Sequence, residues 1–216
     1  MGIKSKPYEN HFQGAKITKV MNIKRCGWCE GDPLYEAYHD EEWGVPVIDD
    51  DRLFEFLILE TFQAGLSWIT ILRKRENFRR AFDQFDYRKI ATYDDQKLEE
   101  LRNDAGIVRN KLKIAATVQN ARAFMQVQQA FGSFSNYIWQ FVDHEPIQNQ
   151  VTNYREAPAT TPLSDRISKD MKKKGFSFVG STVIYAHMQA TGMVNDHETD
   201  CFRHDEVREL GKQVNG

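Results

Sequence analysis

Asp94-Asp95-Gln96-Lys97-Leu98-Glu99-Glu100-Leu101-Arg102-Asn103-Asp104-Ala105-Gly106-Ile107-Val108-Arg109-Asn110-Lys111-Leu112-Lys113 reads as two helices joined by a tight hairpin. The acidic pair opens the first helix, Leu98 and Leu101 give it an apolar face, and Gly106 stops it. After the break Gly106-Ile107-Val108, a long helix carries Leu112, Ile114, Ala115, Val118, Ala121, Phe124, Met125 and Val127 to about Phe131. Helices joined in this way over residues 95–113 leave backbone N–H groups free around Gly106, Val108, Arg109 and Lys111. Such groups hold a phosphate, sometimes with a bridging cation, and so position DNA without reading its sequence. A glycine between two helices also serves as a plain turn.

The rest of the chain keeps the helical style. Asp49-Asp50-Asp51 leads into Leu53, Phe54, Phe56, Leu57, Ile58 and Leu59, a segment apolar almost all round that ends near Gly65, so a buried helix is expected there. Ser67 is placed to cap a second helix with Trp68, Ile71, Leu72 and Phe78 at helical spacing. Residues 135–142 read as a short aromatic helix and 164–174 as an amphipathic one ended by Gly175, and a further helix follows Gly180. Strand signals are confined to fragments such as 176–179, and 145–161 is the longest stretch without a pattern. The expected fold class is all-α, a single unit over residues 22–202. A flexible polar extension over 1–21 precedes it and a charged tail over 203–216 follows.

Composition narrows the function classes. A formal net charge of −2 removes the global basic signature of many nucleic-acid binders, so DNA affinity has to come from local clusters. Three are present: Arg73-Lys74-Arg75, Arg109 with Lys111 and Lys113, and Lys172-Lys173-Lys174, each of which also reads as a solvated helix face. Four tryptophans, eight tyrosines and fourteen phenylalanines offer flat surfaces for something planar. Three cysteines and no secretory leader point to reduced thiols or metal ligation in a cytoplasmic protein. No apolar run has the length of a membrane span, which needs about 20 residues, and nothing calls for an obligate protein partner, so a monomer is expected.

Chemistry is concentrated in three groups. His197 and Cys201 stand at i, i+4, a spacing that one helical turn brings to a shared metal. Cys26 and His39 can complete a closed tetrahedral Cys2His2 site that favours zinc and clips together the two ends of the chain. Cys29, in Cys26-Gly27-Trp28-Cys29, is a rival ligand, and buried cysteines also occur as small hydrophobes. Glu60 follows the apolar run of the Asp49 helix. A carboxylate there is either a functional acid lining a pocket or a helix-end residue paired with a lysine. Trp28, Tyr35, Tyr38, Trp43 and Trp68 surround these residues in sequence, as core packing or as walls with polar handles for a base edge.

Taken together the segments resemble 3-methyladenine-DNA glycosylase I, a branch of the helix-hairpin-helix DNA glycosylases. The resemblance runs over residues 25–201. It is carried by Arg25-Cys26-Gly27-Trp28, Asp32-Pro33-Leu34-Tyr35, Ala37-Tyr38-His39-Asp40, Glu42-Trp43-Gly44-Val45-Pro46, Gln63-Ala64-Gly65-Leu66-Ser67-Trp68, Asp104-Ala105-Gly106-Ile107, Lys174-Gly175-Phe176, Phe178-Val179-Gly180 and Val194-Asn195-Asp196-His197. It implies structural Zn2+ on Cys26, His39, His197 and Cys201, with Cys29 left out. It implies Glu60 and Tyr38 at the edge of an extruded base, Trp68 stacked on that base, and Trp28, Tyr35 and Trp43 as walls. Gly65 and Leu66 match the loop that approaches the gap left in double-stranded DNA.

The implied reaction is monofunctional hydrolysis of the N-glycosidic bond of 3-methyladenine in alkylated DNA, leaving an abasic site. A non-catalytic zinc-stabilised helical DNA-binding module, or a glycosylase with another lesion preference, is the alternative. Two departures stand out: Phe62, expected to alter the pocket rim, and the charged segment after Cys201.

Overall fold

The computed structural model describes residues 23–213. The expectation of a flexible extension over 1–21 lies outside the described residues. Among them the chain forms ten α-helices: α1 (Pro33–Glu41), α2 (Asp50–Gln63), α3 (Trp68–Ala81), α4 (Tyr87–Ile90), α5 (Asp95–Asn103), α6 (Lys111–Phe131), α7 (Phe134–Trp139), α8 (Pro162–Lys173), α9 (Ser181–Ala190) and α10 (Phe202–Gly211). Two short strands, β1 (Ile147–Gln148) and β2 (Val194–Asn195), pair in parallel, so the molecule is mostly helical as expected.

Helix starts follow side-chain chemistry. Asp32, Asp49, Asp94 and Asn110 each accept backbone N–H groups of the first turn of α1, α2, α5 and α6, satisfying donors that no intrahelical carbonyl can reach. Thr161 and Ser164 form a reciprocal capping box on α8. Ser67 precedes α3, but its hydroxyl meets the Thr70 hydroxyl at 2.8 Å instead of capping the helix.

α2 is the centre of the core. Nine of its residues from Leu53 to Phe62 are buried, and α3, α6, α7 and α9 pack around it. Phe62 belongs to that core, fully buried with its ring 4.8 Å from Phe78, which corrects its expected place at a pocket rim.

One helix is unanticipated and three further readings change. Pro33–Glu41 is helical although the sequence shows no clear apolar period there; it buries only Tyr38 and His39. Residues 176–179 are not a strand: Asn120 holds Ser177 by both of its backbone groups, and Phe178 takes a φ of +57°. His197 to Cys201 is a turn closed by Cys201 N–H donating to the Glu198 carbonyl, so the i, i+4 pair meets through a loop and not a helix. The segment expected as a tail from 203 forms most of α10, which buries Val207 and sets Gly211 against Pro146.

Phe202 N–H, at the start of α10, donates to the Lys24 carbonyl ahead of α1, and β1 pairing with β2 ties 147–148 to 194–195. Gly192, at φ +72°, lets the end of α9 lie on the 44–47 segment, where a Cβ would come within 2.5–2.6 Å of backbone. Among the described residues no helix is long and apolar enough to cross a membrane.

Candidate active site and metal centre

Between α1, the end of α2, the start of α3 and α9 lies a cavity of about 220 Å3. It is smaller than the roughly 300 Å3 at which drug-sized pockets begin, as suits one flat ring system. Trp28, Tyr35, Tyr38, Trp43, Glu60 and Trp68 all line it. The aromatic walls brace one another edge-on: Trp28 lies 4.8 Å from Tyr35 and 4.9 Å from Trp43, and Tyr38 lies 5.5 Å from Trp68.

Glu60 is 3 % exposed, and Oε2 has no hydrogen-bond partner; the Trp68 Nε1 donor is likewise buried and unpartnered. Buried polar groups without partners are costly, and both residues line the cavity, where a ligand has access to them. Burial pushes the Glu60 carboxyl up to about 8, which favours the protonated form at neutral pH. Among the described residues no lysine meets it, and it lines the cavity. The Tyr38 hydroxyl is held well above its ordinary value by burial and by Glu60, so it stays a donor.

The wall continues into a cluster of sulfur and imidazole. The ligand atoms of Cys26, His39, His197 and Cys201 lie within 4.8 Å of one another, and all four residues are buried. Cys201 Sγ stands 3.4 Å from His39 Nε2 and 3.6 Å from His197 Nδ1, and Cys26 Sγ stands 3.6 Å from His197 Nδ1. A tetrahedral ion with metal–sulfur bonds of about 2.3 Å and metal–nitrogen bonds of about 2.05 Å separates such donors by roughly 3.5 Å, so the donor set fits zinc.

The tautomers fit as well. His39 Nδ1 is 2.8 Å from an Asp40 oxygen that Arg25 also grips, and His197 Nε2 donates to the Trp43 carbonyl at 3.0 Å, which turns the other nitrogen of each ring inward. Cys201 is pulled below its ordinary value by the neighbouring Cys26 thiol, which is pushed up in turn. Cys29 stands apart: its thiol donates to the Cys26 carbonyl, and burial raises it to about 12.

A methyladenine glycosylase family model matches residues 28–204. The chain belongs to the methyladenine glycosylase family. It is 51 % identical over 179 residues to DNA-3-methyladenine glycosylase 1 of Escherichia coli (strain K12), covering 83 % of this chain and 96 % of that protein. A crystal structure of 3-methyladenine DNA glycosylase I superposes with a TM-score of 0.82 at 50 % identity, over 84 % of this chain and all of the other. A variant of 3-methyladenine DNA glycosylase I in complex with 3-methyladenine superposes with a TM-score of 0.80 at 34 % identity, over 82 % and 96 %.

Beside the glycosylase cavity, the 64–67 loop is exposed, with Leu66 41 % accessible. Lys113, read from sequence as part of a basic cluster, holds this loop: its buried Nζ donates to the Phe62 and Ala64 carbonyls at 3.1 and 2.9 Å. The Arg73-Lys74-Arg75 cluster is also spent internally. Arg73 pairs with Asp32, Arg75 with Glu42 and Glu55, and Lys74 donates to the Ala105 and Gly106 carbonyls.

At the hairpin, Gly106 lets the turn close on α3, where a Cβ would meet Asp104 Oδ1 at 2.9 Å and Asn77 at 3.2 Å. The N–H groups of Val108, Arg109 and Lys111 have no protein acceptor among the described residues, and the Arg109 and Lys111 side chains are exposed. Sequence reasoning missed Gln63, Tyr154, Ala157, Ala186 and Gln189, and settled no role for Asp196, although all six line the cavity. Only Asp196, beside a metal-ligand motif, carried a local signal.

Proposed function

We propose that the protein removes 3-methyladenine from alkylated double-stranded DNA by hydrolysing its N-glycosidic bond. The observation that carries this reading is the buried, unpartnered Glu60 Oε2 on the wall of an aromatic cavity sized for one base. An extruded adenine stacks on Trp68, with Glu60 and Tyr38 at its edge and Trp28, Tyr35 and Trp43 closing the hollow. Methylation at N3 makes the base cationic. As it enters, its charge opposes the desolvation that keeps Glu60 protonated, so the carboxyl ionises and the pair is held in a dry site.

The bond from C1′ to the base then breaks with its electron pair going to the base, which leaves neutral. Water adds to C1′ and releases its proton. No protonation of the base is needed, so a single carboxylate and shape suffice. The free N–H groups of Val108, Arg109 and Lys111 at the hairpin beyond Gly106 hold a DNA phosphate, and the 64–67 loop brings Gly65 and Leu66 to the space the base vacates. Cys26, His39, His197 and Cys201 would hold zinc with four protein ligands, and it would supply a structural clamp there.

Purified protein incubated with N-methylated duplex DNA is expected to release free 3-methyladenine, identified by chromatography, with strands intact until alkali treatment. Binding to the duplex without base release would leave the non-catalytic module. Release of other methylated bases at an equal rate would leave a glycosylase of different preference.

A further inference from the structure

Gln189 and Asp196 line the same cavity as Glu60 and have no part in the mechanism above. α9 presents Ala186 and Gln189 to it from one face, and the small Ala186 leaves room for a ligand beside the amide. Asp196 is 4 % exposed, with both oxygens engaged. Its Oδ1 accepts from Asn149 Nδ2 at 2.6 Å, and its Oδ2 accepts from the Tyr185 hydroxyl at 2.7 Å and from Gln189 Nε2 at 2.8 Å.

A carboxylate offers only acceptors, so the nitrogen of Gln189 must face Asp196, and chemistry alone fixes which way the amide lies. Gln189 Oε1 is then left with no protein donor among the described residues. Gln63, the other amide on the cavity wall, has no side-chain hydrogen bond among the described residues and can turn to suit either donor or acceptor. Of the two, only Gln189 has a fixed polarity.

We propose that Gln189 is a specificity-determining residue: its Oε1, oriented by Asp196, accepts a hydrogen bond from the exocyclic amine of a 6-aminopurine and rejects purines with an oxygen at that position. A 6-oxopurine would set two acceptors face to face in a buried site, leaving both unpaired. Asp196 acts here as a positioning residue, through the amide and not on the base. The proposal rests on the cavity being the base pocket, and its test separates the two.

Binding of free 3-methyladenine and free 3-methylhypoxanthine is compared by quenching of tryptophan fluorescence. The wild-type protein is expected to favour the 6-amino base on the order of tenfold or more. Gln189→Leu keeps the bulk and loses the acceptor, so this ratio should fall towards one while melting temperature and zinc content hold. Asp196→Asn can donate to Oε1 and turn the amide over, which should shift preference towards the 6-oxo base. A Gln189→Leu protein with the wild-type ratio would overturn the proposal. Failure of the wild-type protein to bind 3-methyladenine would overturn the base-pocket reading instead.

Discussion

Among the described residues Glu60 has neither a donor nor a counter-charge beside it, and the proposed chemistry turns on that isolation. Its folded-state carboxyl titrates at about 8, above the ordinary 4.5, so between those values the folded chain binds more protons than the unfolded chain. Stability therefore falls as pH rises through that window and levels off above it. Glu60→Gln lacks this titration, so its melting temperature should exceed that of wild type by a margin that grows from pH 4.5 to 8 and then holds. A constant margin across the same range would show that Glu60 is not desolvated. The same variant should lose roughly ten- to hundredfold in 3-methyladenine release, the size of one hydrogen bond to a charged group. Equal activity would remove Glu60 from the reaction. The sequence pointed to this residue through the apolar run before it, but two readings remained, because a helix pattern does not say whether a lysine lies across the core.

The loop at 64–67 and the hairpin are set by what basic side chains do inside the fold. Lys113 ties the carbonyls at the end of α2 to the start of α6, so Lys113→Met should leave those carbonyls unsatisfied and destabilise the protein by about 1–3 kcal/mol, measured by denaturant melts. In the proposed reading the hairpin carries the DNA contact. Arg109→Ala and Lys111→Ala should each weaken duplex binding across all sequences and lower the slope of log affinity against log salt by about one. Arg73→Ala, whose partner is Asp32, should leave that slope unchanged. If Arg73 moved the slope and Arg109 did not, the assigned DNA face would be wrong. From sequence the three basic clusters look alike. Only carbonyl and carboxylate partners contributed by distant segments set Arg73, Lys74, Arg75 and Lys113 apart from the exposed Arg109 and Lys111.

Across the molecule, the Cys2His2 cluster brings Cys26 and α1 against the segment before α10, near the parallel pairing of β1 with β2. It also backs the aromatic wall, with the ring of Trp43 4.6 Å from that of His197 and the ring of Trp28 5.4 Å from that of His39. Zinc removal is therefore expected to loosen the cavity as well as the chain ends. Cys201→Ser should abolish stoichiometric zinc and lower the melting temperature, with base release lost in parallel with folding and not ahead of it. Metal analysis of wild-type protein prepared without chelators checks the assignment, and a metal-free protein with full stability would refute it.

Local chemistry in the chain determined the helical class, the starts of most long helices through Asp49, Asp94 and Asn110, and the residue types able to bind metal and stack on a base. Those properties depend on neighbours within a turn or two. α1 and α10 escaped because their few apolar residues show no period and find a buried face only against distant parts of the fold, as Gly211 does against Pro146. The turn that brings His197 to Cys201, the missing partner of Glu60 and the amide held by Asp196 were decided by tertiary structure alone. Each depends on which groups, far apart in the chain, exclude water from one another.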